Sequence, residues 1–243
     1  MWADDLRGMF YITLKDLRTY YLKPPNLSWG VLFPFAFVLA FTLRDPGDLT
    51  ALTPGLLGLT LLFSTSSMEA IVIVFERRIG TLERLLLAPI RLPALLAAKV
   101  LGGVAFGLLV TGLVLAATLI ALGAAAINWL VLIPALLLSA AAFAALGALV
   151  SVAVHEVFEA QMLANFICFP MMFLGGVFMP VEALPATLQW VARALPLTYS
   201  VEAIRRAFAG APLAVAAFDL AALLAFAAVL FLLSVRILAR RLE

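Results

Sequence analysis

Long apolar segments separated by short polar connections make up most of this sequence. A helix needs about 20 apolar residues to cross a ~30 Å hydrocarbon core. Of the 243 residues, 65% are hydrophobic and only 12% are charged, whereas a soluble domain is about 25% charged. The composition therefore excludes a soluble enzyme or binding module and indicates a multi-pass membrane protein.

Six apolar segments predict six transmembrane helices and an all-α fold. No segment shows the alternating pattern of a membrane β-barrel strand, and we expect one transmembrane domain over residues 1–243. The predicted spans run from Leu27 to Leu43, Leu49 to Phe75, Pro93 to Ala125, Trp129 to Val152, Ala160 to Met179 and Pro212 to Val235.

An amphipathic helix is predicted over residues 1–23. Apolar residues recur there every three or four positions, as on one face of a helix. Charged residues interrupt any apolar run, so the segment is not a signal peptide. Such a helix lies in the membrane interface, in contact with lipid. The sequence Lys23-Pro24-Pro25 ends it, because two prolines cannot continue a helix.

The basic residues predict the orientation, because Lys and Arg accumulate on the cytoplasmic side. An even number of spans puts both termini on one side, together with the connection 76–91. Twelve of the 16 basic residues fall there, which predicts cytoplasmic termini and an external connection 180–211. These twelve are Arg7, Lys15, Arg18, Lys23, Arg77, Arg78, Arg84, Arg91, Lys99, Arg236, Arg240 and Arg241.

Candidates for chemistry are few. The chain has no phosphate-binding loop motif, one histidine and one cysteine, so we predict no catalytic residue, metal site or bound cofactor. A net charge of +2 indicates no nucleic-acid partner. Glu69 and Asp219 lie within predicted spans, where an ionisable residue suggests a functional role. Neither falls at the midplane, so a proton-relay role has little support.

The connection between the second and third spans contains a short amphipathic helix after Gly80, with Thr81 as its expected cap. Two interpretations remain open on these residues alone: a helix lying on lipid, or a helix that fits a groove in a soluble partner. The candidate coupling residues are Glu76, Arg77, Gly80, Thr81, Leu82, Glu83, Arg84 and Leu85.

The external connection is rich in glycine and proline, which predicts a bend or re-entrant piece after the fifth span. Non-helical backbone at membrane depth must be buried in protein or line a wet cavity. The candidate gating residues are Gly175, Gly176, Pro180, Pro185, Pro196 and Tyr199.

Two separated motifs resemble the permeases of type-2 ABC exporters, especially those for drugs and nodulation factors. The first is ERRIGTLERLLLAPI, from Glu76 to Ile90. The second comprises FLGGVFMPVEALP, from Phe173 to Pro185, and LPLTYSVEAIR, from Leu195 to Arg205. Their order matches the family, and the resemblance covers essentially the whole chain. The pair Arg205-Arg206 departs from the pattern and leaves a role in substrate contact open.

The resemblance implies the partners. A second permease copy would complete a homodimer. Two cytoplasmic ABC ATPase subunits would bind ATP and Mg²⁺, and a groove in each ATPase would bind the segment Gly80–Leu86. The external element Val181–Phe208 would help to close the outer end. The expected cargo is hydrophobic or amphipathic, with drug-like compounds favoured over lipids. The alternatives are a secondary transporter or channel without an ATPase, and an intramembrane enzyme.

Overall fold

The computed structural model describes residues 2–23, 36, 49–88, 90–122 and 127–242. Helices account for most of these residues, and no strand occurs among them. The predicted first span, Leu27–Leu43, lies outside the described residues apart from Ala36.

Ten α-helices are described. They are α1 (Trp2–Asp16), α2 (Leu49–Leu62), α3 (Met68–Arg78), α4 (Thr81–Leu86), α5 (Leu92–Leu122), α6 (Trp129–Ala153), α7 (Val157–Leu174), α8 (Ala186–Arg193), α9 (Pro196–Phe208) and α10 (Leu213–Leu242). A π-helical turn, Leu17–Tyr21, continues α1, and a second one, Phe63–Ser67, joins α2 to α3. A 3₁₀ turn, Val181–Ala183, precedes α8.

Five helical stretches are long and apolar enough to cross a membrane, which confirms five of the six predicted spans within the described part of the chain. They are Leu52–Arg78, Leu92–Ile120, Trp129–Ala153, Val157–Leu174 and Leu213–Arg241. The helix α7 ends at Leu174, before the predicted end at Met179, because Gly176 adopts a φ of 77° that favours glycine and ends the helix.

The first described span, Leu52–Arg78, has the largest buried fraction of the five described spans. It contains the π-helical turn Phe63–Ser67. Its hydroxyl groups bond to the preceding turn: the Ser64 hydroxyl donates to the carbonyl oxygen of Thr60 at 2.6 Å, and that of Thr65 to Leu61 at 2.7 Å. Hydroxyl groups in membrane helices commonly bond to their own helix backbone in this way.

Glycines on the neighbouring helices let this span approach closely. A Cβ added at Gly147 would lie 2.9 Å from the Cβ of Glu69, and one added at Gly103 would lie 3.3 Å from the Glu69 carboxyl carbon. Small residues permit such contact between membrane helices. The Gly103–Gly107 pair therefore serves packing within one subunit.

Successive spans alternate in direction, so α4, the α6–α7 connection and the end of α10 share one end of the bundle. We call it the basic end. The opposite end holds α8 and α9. Helix α9 packs against α2, α6 and α10, and α1 packs along the beginning of α5 at the basic end.

Candidate functional site: the basic end of the bundle

The short helix α4 projects from the basic end as a turn between two spans. Gly80 precedes it with a φ of 71°, a left-handed conformation that glycine adopts without strain. Thr81 is the first helical residue, and no side chain caps the helix. The expected Thr81 cap is therefore wrong, because the glycine turn occupies the capping position.

One face of α4 packs against its own chain. Leu82 is only 4% exposed and lies in an apolar cluster with Ile12 of α1 and Leu95 of α5, to which Leu85 contributes a partly buried side chain. Leu82 therefore fixes α4 on α1 and α5, and presents almost no surface to a partner.

The other face of this turn is open. Glu83 and Arg84 are exposed, and the flanking Leu87 and Ile79 are 88% and 51% exposed. Charged and apolar side chains thus occur together on one protruding surface, which we call the α4 surface.

Behind α4, four charged side chains from three helices form an ion cluster, in which three are buried and Lys15 is partly exposed. Lys99 of α5 is 1% exposed, and its ammonium lies 2.7 Å from the Asp16 carboxylate of α1 and bonds to Glu76 of α3. Lys15 bonds to Glu76 at 2.5 Å and to Asp16 at 2.9 Å. The positive charges of the two lysines equal the negative charges of the two carboxylates. Each charge in the cluster therefore has a partner of opposite sign, as buried charges require.

This ion cluster corrects the predicted bounds of the connection. Glu76 and Arg77 were assigned to a cytoplasmic loop over residues 76–91, but α3 continues through both to Arg78. Glu76 is fully buried. Its charge is neutralised by Lys99 and Lys15, so the helix continues past a carboxylate that the apolar pattern treats as a stop.

Next to the ion cluster, Tyr21 and Glu69 are both buried, and the Tyr21 hydroxyl donates to the Glu69 carboxyl. This bond links the π-helical turn after α1 to the start of α3. Glu69 therefore serves the contact between the turn after α1 and α3.

Titration of the groups outside the spans fits this arrangement. Burial raises the pKa of Asp16 despite the attraction of Lys99. Burial lowers the pKa of Lys15, but hydrogen bonds to Asp16 and Glu76 outweigh it, so the Lys15 pKa is raised overall and the ammonium stays charged. Burial and the Glu69 carboxyl raise the pKa of Tyr21 well above its usual value, which keeps its hydroxyl a donor.

Arg77 is bound within the bundle. Its guanidinium donates to the carbonyl oxygens of Ser151 at 2.5 Å and Val154 at 3.0 Å, at the end of α6. Arg241 of α10 donates to Ala153 there at 3.3 Å. Because the last carbonyls of a helix lack partners within it, the two arginines satisfy the end of α6.

The α6–α7 connection completes the basic end. Glu159 accepts hydrogen bonds from the backbone of His155 at 3.1 Å and Glu156 at 3.2 Å, which caps α7. Glu156 also pairs with Arg78 at 2.6 Å, on the surface beside α4. These polar residues serve helix capping and surface pairing.

At the opposite end, the predicted gating residues form a folded element around α8 and α9. Pro180 precedes the 3₁₀ turn, Pro185 precedes α8, and Pro196 is the first residue of α9. The Tyr199 hydroxyl donates to the carbonyl oxygen of Arg193 at 2.7 Å. Pro196 begins α9, because proline fits the first helical position.

Two arginines of α9 hold this element on the bundle. The Arg205 guanidinium donates to the carbonyl oxygen of Gly176 at 2.7 Å, which fixes the turn that includes Gly175. Arg206 lies 2.5 Å from the Asp219 carboxylate of α10. Asp219 is fully buried, so it stabilises the contact between α9 and α10 through this ion pair.

The sequence prediction missed the ion cluster. Asp16 and Lys15 were treated as parts of an interfacial helix, and Lys99 only as a basic residue near the candidate loop. One signal was available: Asp16 lies four residues after Ile12, on the same side of α1, where a charge needs a buried partner. Pairing it with Lys99 and Glu76 required the tertiary structure.

Comparisons with known proteins agree on one family. The family model described as ABC-2 type transporter matches residues 9–209. Nodulation protein J of Rhizobium leguminosarum bv. trifolii is 32% identical over 187 residues, 74% of this chain and 69% of that protein. The inner membrane transport permease YadH of Escherichia coli K12 is 26% identical over 214 residues, 86% of this chain and 82% of that protein.

Another relative aligns over a shorter region. Nodulation protein J of Rhizobium meliloti is 34% identical over 116 residues, 48% of this chain. The chain spans less than half the length of this relative, at 44%.

Proposed function

We propose that this chain, which belongs to the ABC-2 type transporter family, is the multi-pass transmembrane permease subunit of an ABC exporter in the inner membrane. In this proposal residues 1–243 form one permease domain, and two copies build the pathway. Two separate ABC ATPase subunits bind ATP and Mg²⁺ in the cytoplasm. The observation that supports this proposal best is the α4 surface, because the sequence contains no phosphate-binding loop motif and the ATPase would therefore be a separate chain that binds there.

The α4 surface is the proposed docking site for the ATPase. Its contacts come from Glu83, Arg84, Ile79 and Leu87, whose side chains are exposed. Apolar anchors flanked by charge are the pattern by which a short helix fits a groove. Gly80 sets the angle at which α4 leaves the span.

The buried residues of the predicted site have a different role in this proposal. Leu82, with Leu85 beside it, joins α4 to α1 and α5. Glu76 joins α3 to the same two helices through the ion cluster. A displacement of α4 by the ATPase is thereby passed to three helices at once.

A ligand shifts a conformational equilibrium only by its differential affinity for the two states. ATP binding by the ATPase subunits therefore acts on the permease only through surfaces whose position differs between the states. We infer that α4, α1 and the basic end of α5 move as one unit, and that the outer element around α8 and α9 closes and opens in response.

The proposed cargo is a hydrophobic or amphipathic compound, with drug-like molecules favoured. The spans offer apolar side chains and hydroxyls, while three of the charges described within them are bound: Glu76 and Asp219 form ion pairs, and Arg77 closes the end of α6. A pathway of this composition favours cargo that carries little charge. Transport by the purified complex, measured over a panel of drugs, lipids and lipid-linked glycans, tests this choice.

The docking proposal is tested by Glu83→Arg, which reverses one charge on the α4 surface. We expect the variant to insert normally but to lose at least about tenfold in ATP-driven transport, equivalent to ~1.4 kcal/mol of coupling. Transport and ATP hydrolysis are measured in proteoliposomes that contain the ATPase subunit that co-purifies with the permease.

Arg240→Glu is the matched control, because it reverses an exposed charge at the end of α10, outside the α4 surface and the outer element. We expect it to transport like the unmodified protein. Wild-type transport by Glu83→Arg would contradict the docking proposal. Transport by the permease without any ATPase would instead support a secondary transporter or channel.

A further inference from the structure

Glu69 differs from the other acidic residues that are fully buried in the described part of the chain. Asp16 and Glu76 bond to the lysines of the ion cluster, and Asp219 pairs with Arg206. Glu69 forms no ion pair with a described residue. Its Oε2 accepts a hydroxyl bond from the turn after α1, while its Oε1 is buried and has no hydrogen-bond partner among the described residues. An ionised Glu69 would therefore be a buried charge without a counter-charge.

The charges around Glu69 are already balanced among themselves. Asp16, Glu76 and Lys99 act on it electrostatically, but the Lys99 ammonium is bound to those two carboxylates. Tyr21 bonds to Glu69 as a hydroxyl donor and supplies no positive charge. A carboxyl group in such surroundings becomes neutral by binding a proton, because an unpaired buried charge is far more costly than an unpaired buried hydroxyl.

The other helices that pack against α3 bring no counter-charge. Helix α6 contains no titratable residue. Helix α7 contains two: Glu159 caps its own helix, and the Cys168 thiol donates to the Ser66 hydroxyl at 3.9 Å. The charges of α4, Glu83 and Arg84, are exposed and follow the opposite end of α3. Each of these neighbours leaves the carboxyl group of α3 without a cation.

The space around this carboxyl group suits a proton and not a larger cation. A Cβ added at Gly103 of α5 would lie 2.5 Å from the Glu69 Oε2, and one added at Gly147 of α6 would lie 2.9 Å from its Cβ. The backbones of both helices thus enclose the group. A metal ion needs several protein ligands, and no group of three His, Cys, Asp or Glu side chains that could hold one occurs among the described residues.

We propose that Glu69 is a proton-binding site, which holds a proton in the packing described here and releases it to water when α3 separates from α5 and α6. The proton forms one O–H bond to the carboxylate, and release breaks that bond alone. The release step rests on the proposed function, in which the ATPase displaces α4 and thereby α3.

The proton stabilises the packing described here. Without it, the Glu69 carboxylate is solvated only after water enters between the helices, so the ionised form favours the separated packing. A rise in pH favours the state that binds fewer protons, and it therefore shifts the permease towards the separated packing. A ligand shifts an equilibrium by its differential affinity for the two states, and here the proton is that ligand.

The direct test detects the protonated carboxyl group by infrared spectroscopy of the permease alone, in phosphatidylcholine vesicles at neutral pH. We expect the carbonyl stretching band of a buried carboxylic acid, and Glu69→Gln removes it. Tyr21→Phe keeps the band but moves it to a higher frequency, because the carboxyl group loses the hydroxyl bond from the tyrosine. The second variant gives a result even where the first one does not fold.

Glu182→Gln is the matched control for the spectra, because it removes an exposed carboxyl group at the opposite end of the bundle. We expect the carboxylic acid band to remain in this variant at its original frequency. A spectrum that neither Glu69→Gln nor Tyr21→Phe changes in this region would overturn the proton site.

A second measurement tests the release step and separates this inference from the proposed function. Transport per ATP hydrolysed is compared between Glu69→Gln and the unmodified protein, each in complex with the co-purified ATPase. We expect the ratio of the two values to change by at least about threefold between about pH 6 and about pH 9, because glutamine cannot lose a proton. A constant ratio would overturn the release step. If no ATPase binds the permease, the proposed function fails, while the infrared spectra still decide the proton site.

Discussion

Two spans of similar length behave in opposite ways. In the span Leu52–Arg78, an 18-residue stretch of mean hydropathy 1.7 has 83% of its residues buried within the protein. In Leu213–Arg241, such a stretch has a mean hydropathy of 2.5 and only 17% of its residues buried. In a soluble protein the more apolar helix would lie inside. In a bilayer the lipid solvates apolar side chains, so small and polar residues collect at helix contacts instead.

The side chains show how this difference arises. The inner span includes Gly55, Gly58 and buried hydroxyl groups from Thr60 to Ser67, together with Glu69 and Glu76. The outer span α10 exposes Phe218, Leu224 and Leu232. Hydropathy therefore identifies a span but not its place in the bundle, and variants of the two spans are expected to differ most where polarity and close packing coincide.

The largest expected effect comes from Glu76→Ala in the inner span. The change leaves Lys99 with one buried carboxylate fewer, and breaking a buried ion pair destabilises a protein by about 3–5 kcal/mol. The free energy of unfolding is measured by titration with a denaturing detergent. Arg240→Ala, at the exposed end of α10, is the control and should change it by less than about 0.5 kcal/mol. Equal unfolding free energies for the two variants would contradict the view that the inner span depends on its buried charges.

A leucine pair compares packing in the two spans directly. Leu61 is fully buried and Leu232 is 56% exposed. Leu61→Ala opens a cavity and should lower the free energy of unfolding by about 2 kcal/mol, while Leu232→Ala exchanges one lipid contact for another and stays within about 0.5 kcal/mol. The same detergent titration measures both variants. A larger loss of unfolding free energy for Leu232→Ala than for Leu61→Ala would contradict the assignment of Leu61 to the interior and Leu232 to the lipid.

A smaller effect is expected at Gly55. A Cβ there would lie 2.9 Å from the backbone Cα of Val177, which leaves no flexible atom to yield. Gly55→Ala should destabilise the protein by about 1–2 kcal/mol. Gly112→Ala in α5 is the matched control, because nothing lies within 4 Å of its added Cβ, and alanine is favoured over glycine in a helix by up to about 1 kcal/mol. Equal effects would contradict the close approach at Gly55.

The smallest effect concerns Glu202 of α9, the helix between the two compared spans. Burial raises its pKa above the ordinary value of 4.5, although Arg206 opposes the shift. The folded protein therefore binds this proton more tightly than the unfolded chain, and stability falls as the pH rises from 4.5 through the raised pKa. Glu202→Gln should remove that decline in thermal unfolding between pH 4 and pH 8; an unchanged decline would assign it elsewhere.

The sequence alone predicted the membrane class, five of the described spans and the short helix after Gly80. It could do so because a bilayer imposes a length and an apolar composition on every crossing segment, and because a glycine turn between two spans is a local feature. The orientation rests on the same kind of reasoning and stays a prediction.

Only the tertiary structure decided which charges meet. Glu76 and Arg77 were assigned to a loop, but they continue a helix because Lys99 neutralises the first and the end of α6 binds the second. Leu82 belongs to the candidate coupling segment, yet it faces α1 and α5. Periodicity shows that a residue is apolar or charged along one helix; whether it contacts lipid, a partner or another helix depends on residues far away in the chain.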